Sequence, residues 1–337
     1  MTDRVLVTGA RGFIAKHCIA GLLEAGYAVV GTIRRPEAAD EVRRAVARRV
    51  DPGERLTFVT ADLNHDAGWP AAAAGCRYVL HIASPFPLRQ PKTEDEVVRP
   101  AVEGTIRVMR AATAAMVERV VLTSSAVAIA SGWPDSRVYT ERDWSDVSSK
   151  SISSYAKSKT LAERAAWDEA KAAGAPRLTT INPGQVFGPP LDDRFDTSGD
   201  IVRLMLRGAY PFILRFGFPI ADVRDVARAH VLAMTNPAAA GQRLIVGDGF
   251  FWMEDIVRIL RDRLPAHAAK LPKRRLPDFL ARLAANFDPA LRTVKGDLGR
   301  RWAVSGARTE AMLGFRFRSG EEALVAMAEA LIAQGLR

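Results

Sequence analysis

Val5-Leu6-Val7-Thr8-Gly9-Ala10-Arg11-Gly12-Phe13-Ile14-Ala15 carries the pattern that decides the fold: a short apolar run, a turn holding two glycines, then the start of a helix. Glycine at 9 and 12 lets the chain turn tightly and lets bare backbone approach a pyrophosphate without a Cβ in the way. A helix starting directly after the turn offers free N–H groups and the positive end of its dipole to the same phosphates. Ala15 takes a third small position, where helix and strand pack closely. The spacing is G-x-x-G-x-x-A, not the commoner G-x-G-x-x-G, and its force comes from standing between a first strand and a first helix. Gly9, Arg11, Gly12, Phe13 and Ile14 are therefore expected to hold a dinucleotide.

Outward from this turn, strands and helices alternate. Ile14, Cys18, Leu22 and Leu23 give a helical period that ends at Gly26. Strands are expected at 28–33, 56–59, 78–82, 120–123 and 178–181, with helices near 38–50, 97–115, 154–172 and 223–234. This alternation predicts an α/β protein: a Rossmann-type, doubly wound parallel sheet covered on both faces, with a smaller C-terminal substrate-binding lobe. The expected division is a dinucleotide-binding domain over 1–183, with a returning segment at about 220–246, and a mainly substrate-binding lobe over 184–337. The aromatic stretch 210–219 is broken by Pro211, Gly217 and Pro219, so no regular helix is expected there. Ligands of such sheets bind beyond the carboxyl ends of the strands. Gly9, Arg34, Asp62, Ser84, Ser125 and Asn182 each follow a strand at that edge.

The 337 residues suffice for one large α/β unit with an extension, and 48% of them are hydrophobic. No apolar run reaches the ~18 residues that span a bilayer, and Met1-Thr2-Asp3-Arg4 leads straight into a strand, so a cytoplasmic location without membrane association is expected. Cys18 and Cys76 form neither a metal spacing nor a disulfide framework, and the five histidines are scattered, so no metal site is expected. The net charge of +10 comes from 48 Lys+Arg against 38 Asp+Glu. Its clusters, Arg43-Arg44…Arg48-Arg49, Lys273-Arg274-Arg275 and Arg300-Arg301, do not alternate with aromatics as a single-strand binder requires. They read as solvated faces, and no nucleic-acid partner is expected.

The second strand ends Thr32-Ile33-Arg34-Arg35, where a cofactor with a free 2′-hydroxyl usually meets a carboxylate. A guanidinium pairs with a 2′-phosphate that a carboxylate would repel. NADP is therefore the expected cofactor, held by Arg34 with Arg35, Arg43 or Arg44 assisting. Asp62 is placed to accept from the adenine amino group, and Leu63 to offer a backbone N–H. Reducing a carbonyl also needs a proton for its oxygen. Tyr155 and Lys159 stand at i and i+4, on one helix face. A neighbouring ammonium favours the phenolate, and lowering a phenol from about 10 by about three pH units corresponds to about 4 kcal/mol. Lys157 also follows Tyr155 but has the wrong spacing. Ser125, ending the fifth strand, is placed to hydrogen-bond the substrate oxygen.

With these residues in hand, the chain resembles an extended short-chain dehydrogenase/reductase of the epimerase/dehydratase superfamily. It is most similar to the branch of dihydroflavonol, cinnamoyl-CoA and yeast-type ketone reductases. The matching stretches are Val5-to-Ala15, Gly31-Thr32-Ile33-Arg34, Ala61-Asp62-Leu63, His81-to-Phe86, Thr123-Ser124-Ser125, Tyr155-to-Lys159, Asn182-to-Pro189 and Asp222-to-Ala227. The resemblance implies a Ser-Tyr-Lys set: Ser125 (with Ser124 as the fallback), Tyr155 as acid/base, and Lys159 tuning it and binding the ribose. It implies that Ala83 and Ser84 lie beside the cofactor's ribose and phosphates, that Pro183 and Val186 border the nicotinamide, and that Asn182 is structural. Ala15 departs from the family's third glycine, and the tail after Leu271 carries no specificity signature.

The residues expected near substrate are apolar: Phe86, Leu88, Val127, Ile129, Trp133, Phe187, Tyr210, Phe212, Phe216 and Phe218, with Phe86, Ser125 and Phe187 as direct contacts. They point to a small-molecule carbonyl substrate that is aliphatic or aromatic, turned over by a monomer or homodimer. Two other readings share some features. A nucleotide-sugar epimerase or dehydratase would keep NAD bound and oxidised; no second Asp-Glu acid/base pair follows Ser125. A redox-sensing regulator that binds NADP without turnover would have no need of Tyr155 or Lys159.

Overall fold

The computed structural model describes residues 2–85, 93–193 and 197–335. Its strands in chain order are β1 (Arg4–Val7), β2 (Ala28–Ile33), β3 (Leu56–Thr60), β4 (Tyr78–His81), β5 (Arg119–Thr123), β6 (Val138–Tyr139), β7 (Arg177–Pro183), β8 (Gln185–Phe187), β9 (Gly217–Asp222), β10 (Arg243–Val246), β11 (Asp248–Trp252) and β12 (Ala303–Val304). The helices that matter most are α1 (Phe13–Glu24), α2 (Ala38–Ala47), α3 (Trp69–Ala73), α4 (Asp95–Ala114), α5 (Val127–Ala130), α6 (Ser154–Glu169), α7 (Thr197–Leu206), α8 (Val223–Thr235), α9 (Met253–Arg263) and α10 (Asp278–Ala284).

Seven parallel strands form the main sheet in the order β10-β7-β5-β4-β1-β2-β3, a Rossmann-like arrangement. The pleat sends Val5 and Val7 to one core, shared with Cys18, Leu22, Val226 and Ala229 of α1 and α8. Leu6 goes to the opposite core, with Trp69, Val108, Met109 and Ala166 of α3, α4 and α6. A strand buried on both faces must be apolar throughout, which is why β1 reads as an unbroken apolar run. The strand order reverses between β1 and β4, and this is the crevice where doubly wound sheets take their ligands.

After β7 the chain leaves the main sheet. β6, β12, β11, β9 and β8 form a second, mixed sheet. Its core holds Phe187, Val202, Met205, Ile220, Leu260 and Leu324. The stretch 210–219 contains no helix, and its end begins β9. The chain then returns through α8 to β10, which pairs with β7. Cys18 and Cys76 are buried free thiols. One basic cluster departs from its expected solvated state. Arg300 is buried and donates to Asp135 O (3.0 Å), to Ala130 O and to the Tyr139 hydroxyl (2.9 Å), joining the α5 region to β6.

Candidate active site

Gly9 adopts φ +67°, and a Cβ there would lie 3.0 Å from the Ala83 Cβ. Its N–H donates to Thr32 Oγ1 and the Ala10 N–H to Thr32 O, both at 2.9 Å, so the end of β2 pins the turn. Gly12 caps α1 without a side chain, and the first helical turn holds no acidic residue. Among the described residues, the opening N–H groups are thus left without a side-chain cap, as an anion site requires. Thr8 Oγ1 accepts from Ile82 N (3.0 Å) and Ala83 N (2.9 Å). Its own proton therefore goes to His81 Nδ1 at 2.9 Å, which leaves the imidazole proton on Nε2. That His81 nitrogen is buried without a partner among the described residues.

The other residues expected to hold the cofactor lie in or just after strands β2, β3, β4, β7 and β8, apart from Arg11 in the turn itself. The Arg11 guanidinium is paired with Glu41 at 3.1 Å, so what Arg11 brings to the turn is backbone. Arg34 and Arg35 are exposed, with no ion pair or side-chain hydrogen bond among the described residues, whereas Arg43 is spent on Gly53 O (2.9 Å), Leu56 O and the Phe58 ring. Asp62 Oδ1 accepts from Asn64 N at 2.9 Å and shapes the loop after β3. Leu63 fills the space beside Gly104, where an added Cβ would lie 2.8 Å from the Leu63 Cβ. Ala83 and Ser84 follow β4, half-buried. Pro183 ends β7 and accepts Ala126 N at 2.8 Å. Val186 is buried in the α1/α8 core.

Helix α6 starts at Ser154 because the Ser153 hydroxyl caps it, accepting Ala156 N at 3.2 Å. One turn separates Tyr155 from Lys159. Lys157 turns away and pairs with Glu94 at 2.7 Å. Lys159 is buried, with Nζ 3.5 Å from Thr123 O at the end of β5. Burial pushes its ammonium down to about 8, opposed by the charge of Glu163. Tyr155 is 38% exposed, and desolvation pushes its phenol up to about 12. A phenol lowered by its lysine was expected; desolvation instead raises it. Tyr155 therefore rests protonated.

The two serines differ. Ser124 is buried and donates to Glu163 Oε2. Ser125 is half-buried; its hydroxyl accepts Val127 N at 3.3 Å, and its own proton has no acceptor among the described residues. Asn182 donates to Ser125 O (3.2 Å) and to Glu163 Oε2 (2.8 Å), a structural role.

The apolar set expected at the substrate splits. Phe86 and Leu88 lie outside the described residues. Phe187 needs correction as a substrate contact: the β8 pleat turns it into the second core, 0% exposed, its ring 6.2 Å from that of Phe218. Ile129 and Phe218 are buried there too, whereas Trp133 and Phe212 are exposed. Glu163, Arg243 and His81 emerge as site neighbours that the sequence reading passed over. Only Glu163 left a signal, at i+4 from Lys159.

The family model described as the NAD dependent epimerase/dehydratase family matches residues 5–247. The chain belongs to this family, the extended short-chain dehydrogenases/reductases. It is similar to the NADPH-dependent methylglyoxal reductase GRE2 of Saccharomyces cerevisiae, at 30% identity over 95% of each chain. Cinnamoyl-CoA reductase CAD2 of Medicago truncatula is 37% identical over 78% of this chain and 81% of its own. The crystal structure of yeast methylglyoxal/isovaleraldehyde reductase Gre2 complexed with NADPH superposes with a TM-score of 0.81 at 28% identity, covering 99% of this chain and 100% of that one.

Proposed function

We propose that the protein is an NADPH-dependent reductase that transfers hydride to the carbonyl of an apolar aldehyde, ketone or dihydroflavonol-like compound. Similarity to GRE2 and cinnamoyl-CoA reductase supports the reductase class and the cofactor. The observation that carries the chemistry is a protonated Tyr155 one helical turn from a buried ammonium, set beyond the sheet edge that also bears the uncapped glycine turn.

The residues fit the cofactor. A side chain at Gly9 would fill the cradle, the start of α1 is free for a pyrophosphate, and Arg34 has a guanidinium to spare for a 2′-phosphate. Asp62 and Leu63 suit the adenine end; Ala83, Ser84 and Lys159 the ribose; Pro183 and Val186 the nicotinamide. When bound, the reduced nicotinamide supplies the hydride. Ser125 and Tyr155 then donate to the carbonyl oxygen, and Tyr155 gives up its proton as the alkoxide forms. Lys159 stabilises the phenolate that remains. Exposed Trp133 and Phe212 suit an apolar substrate better than a sugar nucleotide. No helix among the described residues is long and apolar enough to cross a membrane, in keeping with a small-molecule reductase.

A panel of aliphatic and aromatic carbonyls, assayed separately with NADPH and NADH, tests this reading. Consumption of NADPH with formation of the alcohol is expected, slower with NADH. Turnover of a nucleotide sugar by an enzyme that retains oxidised cofactor would overturn it in favour of an epimerase.

A further inference from the structure

Behind Lys159 lies a buried carboxylate that carbonyl reduction does not itself require. Glu163 is 1% exposed and one helical turn beyond Lys159. Its Oε2 accepts from Ser124 Oγ and from Asn182 Nδ2 at 2.8 Å. Its Oε1 accepts from Thr180 Oγ1 at 3.1 Å and from Arg243 Nε at 2.6 Å. Arg243, on β10, also donates to Glu141 O at 2.9 Å and to Asp143 O, and lies 3.8 Å over the Trp144 ring. Residues from just after β5, from β7 and from β10 thus converge on one carboxylate of α6. A buried ion pair is a costly route to stability, and this one stands next to the lysine of the site.

We propose that Glu163 is the positioning residue of the Ser-Tyr-Lys set. It keeps the Lys159 ammonium charged inside the fold, and through Ser124 and Asn182 it fixes the backbone that presents Ser125. Arg243 balances the carboxylate from the side away from α6 and ties the segment 141–144 to it. This deepens the proposed function and rests on it for the roles of Lys159 and Ser125.

Among the described residues, the charges facing Lys159 are few. On its own helix are Tyr155, protonated, and Glu163. From β4 comes His81, held neutral by burial and by the ammonium itself, at about 3. From β5 comes the Thr123 carbonyl. Helix α4 lines the small cavity beside Lys159 and Glu163 with Ala101 and Thr105, neither of them charged. Arg243 reaches Lys159 only through Glu163. Glu163 is thus the anion that opposes desolvation of the ammonium. Its removal shifts the lysine toward the neutral amine, so that the ammonium is lost at lower pH.

The test follows the side-chain carbon signals of 13C-lysine-labelled protein through a pH titration, with Lys159 assigned by the signal missing in Lys159→Met. The wild type is expected to titrate near 8, Glu163→Gln at least about one pH unit lower, and Glu163→Asp in between. Should Glu163→Gln not fold with Arg243 left unbalanced, the double variant Glu163→Gln/Arg243→Gln removes both charges, and its Lys159 midpoint is still expected below that of the wild type. The alkaline limb of kcat/KM for NADPH-dependent reduction moves down by the same interval. A folded variant lacking the Glu163 charge but with an unmoved Lys159 midpoint overturns the proposal. So does a kcat/KM lowered equally at all pH values, the mark of a merely structural residue. The titration needs neither cofactor nor turnover. Failure of the wild type to reduce any carbonyl therefore sinks the proposed function and leaves the Lys159–Glu163 coupling standing, while an unmoved midpoint in an active enzyme does the reverse.

Discussion

The glycine turn and the face around Tyr155 lie along one edge of the same sheet and are built in opposite ways. The turn at Gly9 is made of backbone: small residues, a positive φ, and N–H groups pinned by Thr32. The face around Tyr155 is made of side chains, set by buried charge on α6 and β10 and by neutral donors from the ends of β5 and β7. A backbone site is written in a few adjacent residues. A charge-set site is written across the chain, with Glu163 and Arg243 eighty positions apart. His81 joins the two, bonded to Thr8 of the turn and lowered by burial and then by the charge of Lys159.

Acid carries the largest expected effect, through three buried histidines of which His81 is one. His17, His81 and His230 are held at about 4, about 3 and about 4, against 6.5 in an unfolded chain. Each is lowered chiefly by burial, so below 6.5 the unfolded chain takes up protons that the folded one refuses. Stability is fully present above 6.5 and falls as pH drops toward the folded values, by up to about 4 kcal/mol per pH unit for the three together. Urea unfolding at pH 7, 6 and 5 checks this; a flat profile would mean that the histidines are not held neutral.

Breaking the backbone half alone comes next. Gly9→Val places a branched side chain at positive φ against Ala83; we expect a loss of about 1–3 kcal/mol and NADPH binding weakened more than about tenfold, read by thermal unfolding and fluorescence titration. A smaller effect is expected at Arg34→Ala. The NADPH-over-NADH preference falls about tenfold, the scale of one lost charge-assisted contact, with activity on NADH retained. Unchanged preference would move the 2′-phosphate contact to Arg35. The smallest concerns Lys157→Ala, which removes only the surface pair with Glu94. It should cost less than about 1 kcal/mol and leave the rate unaltered; a collapse in rate would mean that the wrong lysine has been placed in the site.

The same contrast explains what could be read in advance. The six strands from Val5 to Ile181, the glycine turn and the Tyr155/Lys159 spacing follow from local periodicity, and each was legible. The sequence named Ser125 with Ser124 as the fallback; what distinguishes the two in the fold, Glu163 taking the Ser124 proton, rests on a partner distant in sequence. Phe187 looked like a pocket residue because an aromatic in a Gly/Pro-rich stretch shows no periodicity; only the β8 pleat reveals that it faces the core. Arg300 looked solvated as part of an Arg-Arg pair until the tertiary fold placed three acceptors around it. Residues whose role depends on partners distant in sequence were the ones missed.

Single-turnover reduction of an apolar aldehyde by the NADPH-loaded enzyme, wild type against Tyr155→Phe, tests the central claim most directly. The account predicts that the variant binds NADPH within about threefold of the wild type but transfers hydride at least about a hundredfold more slowly, since it lacks the proton donor. Equal hydride-transfer rates in the two proteins would contradict it.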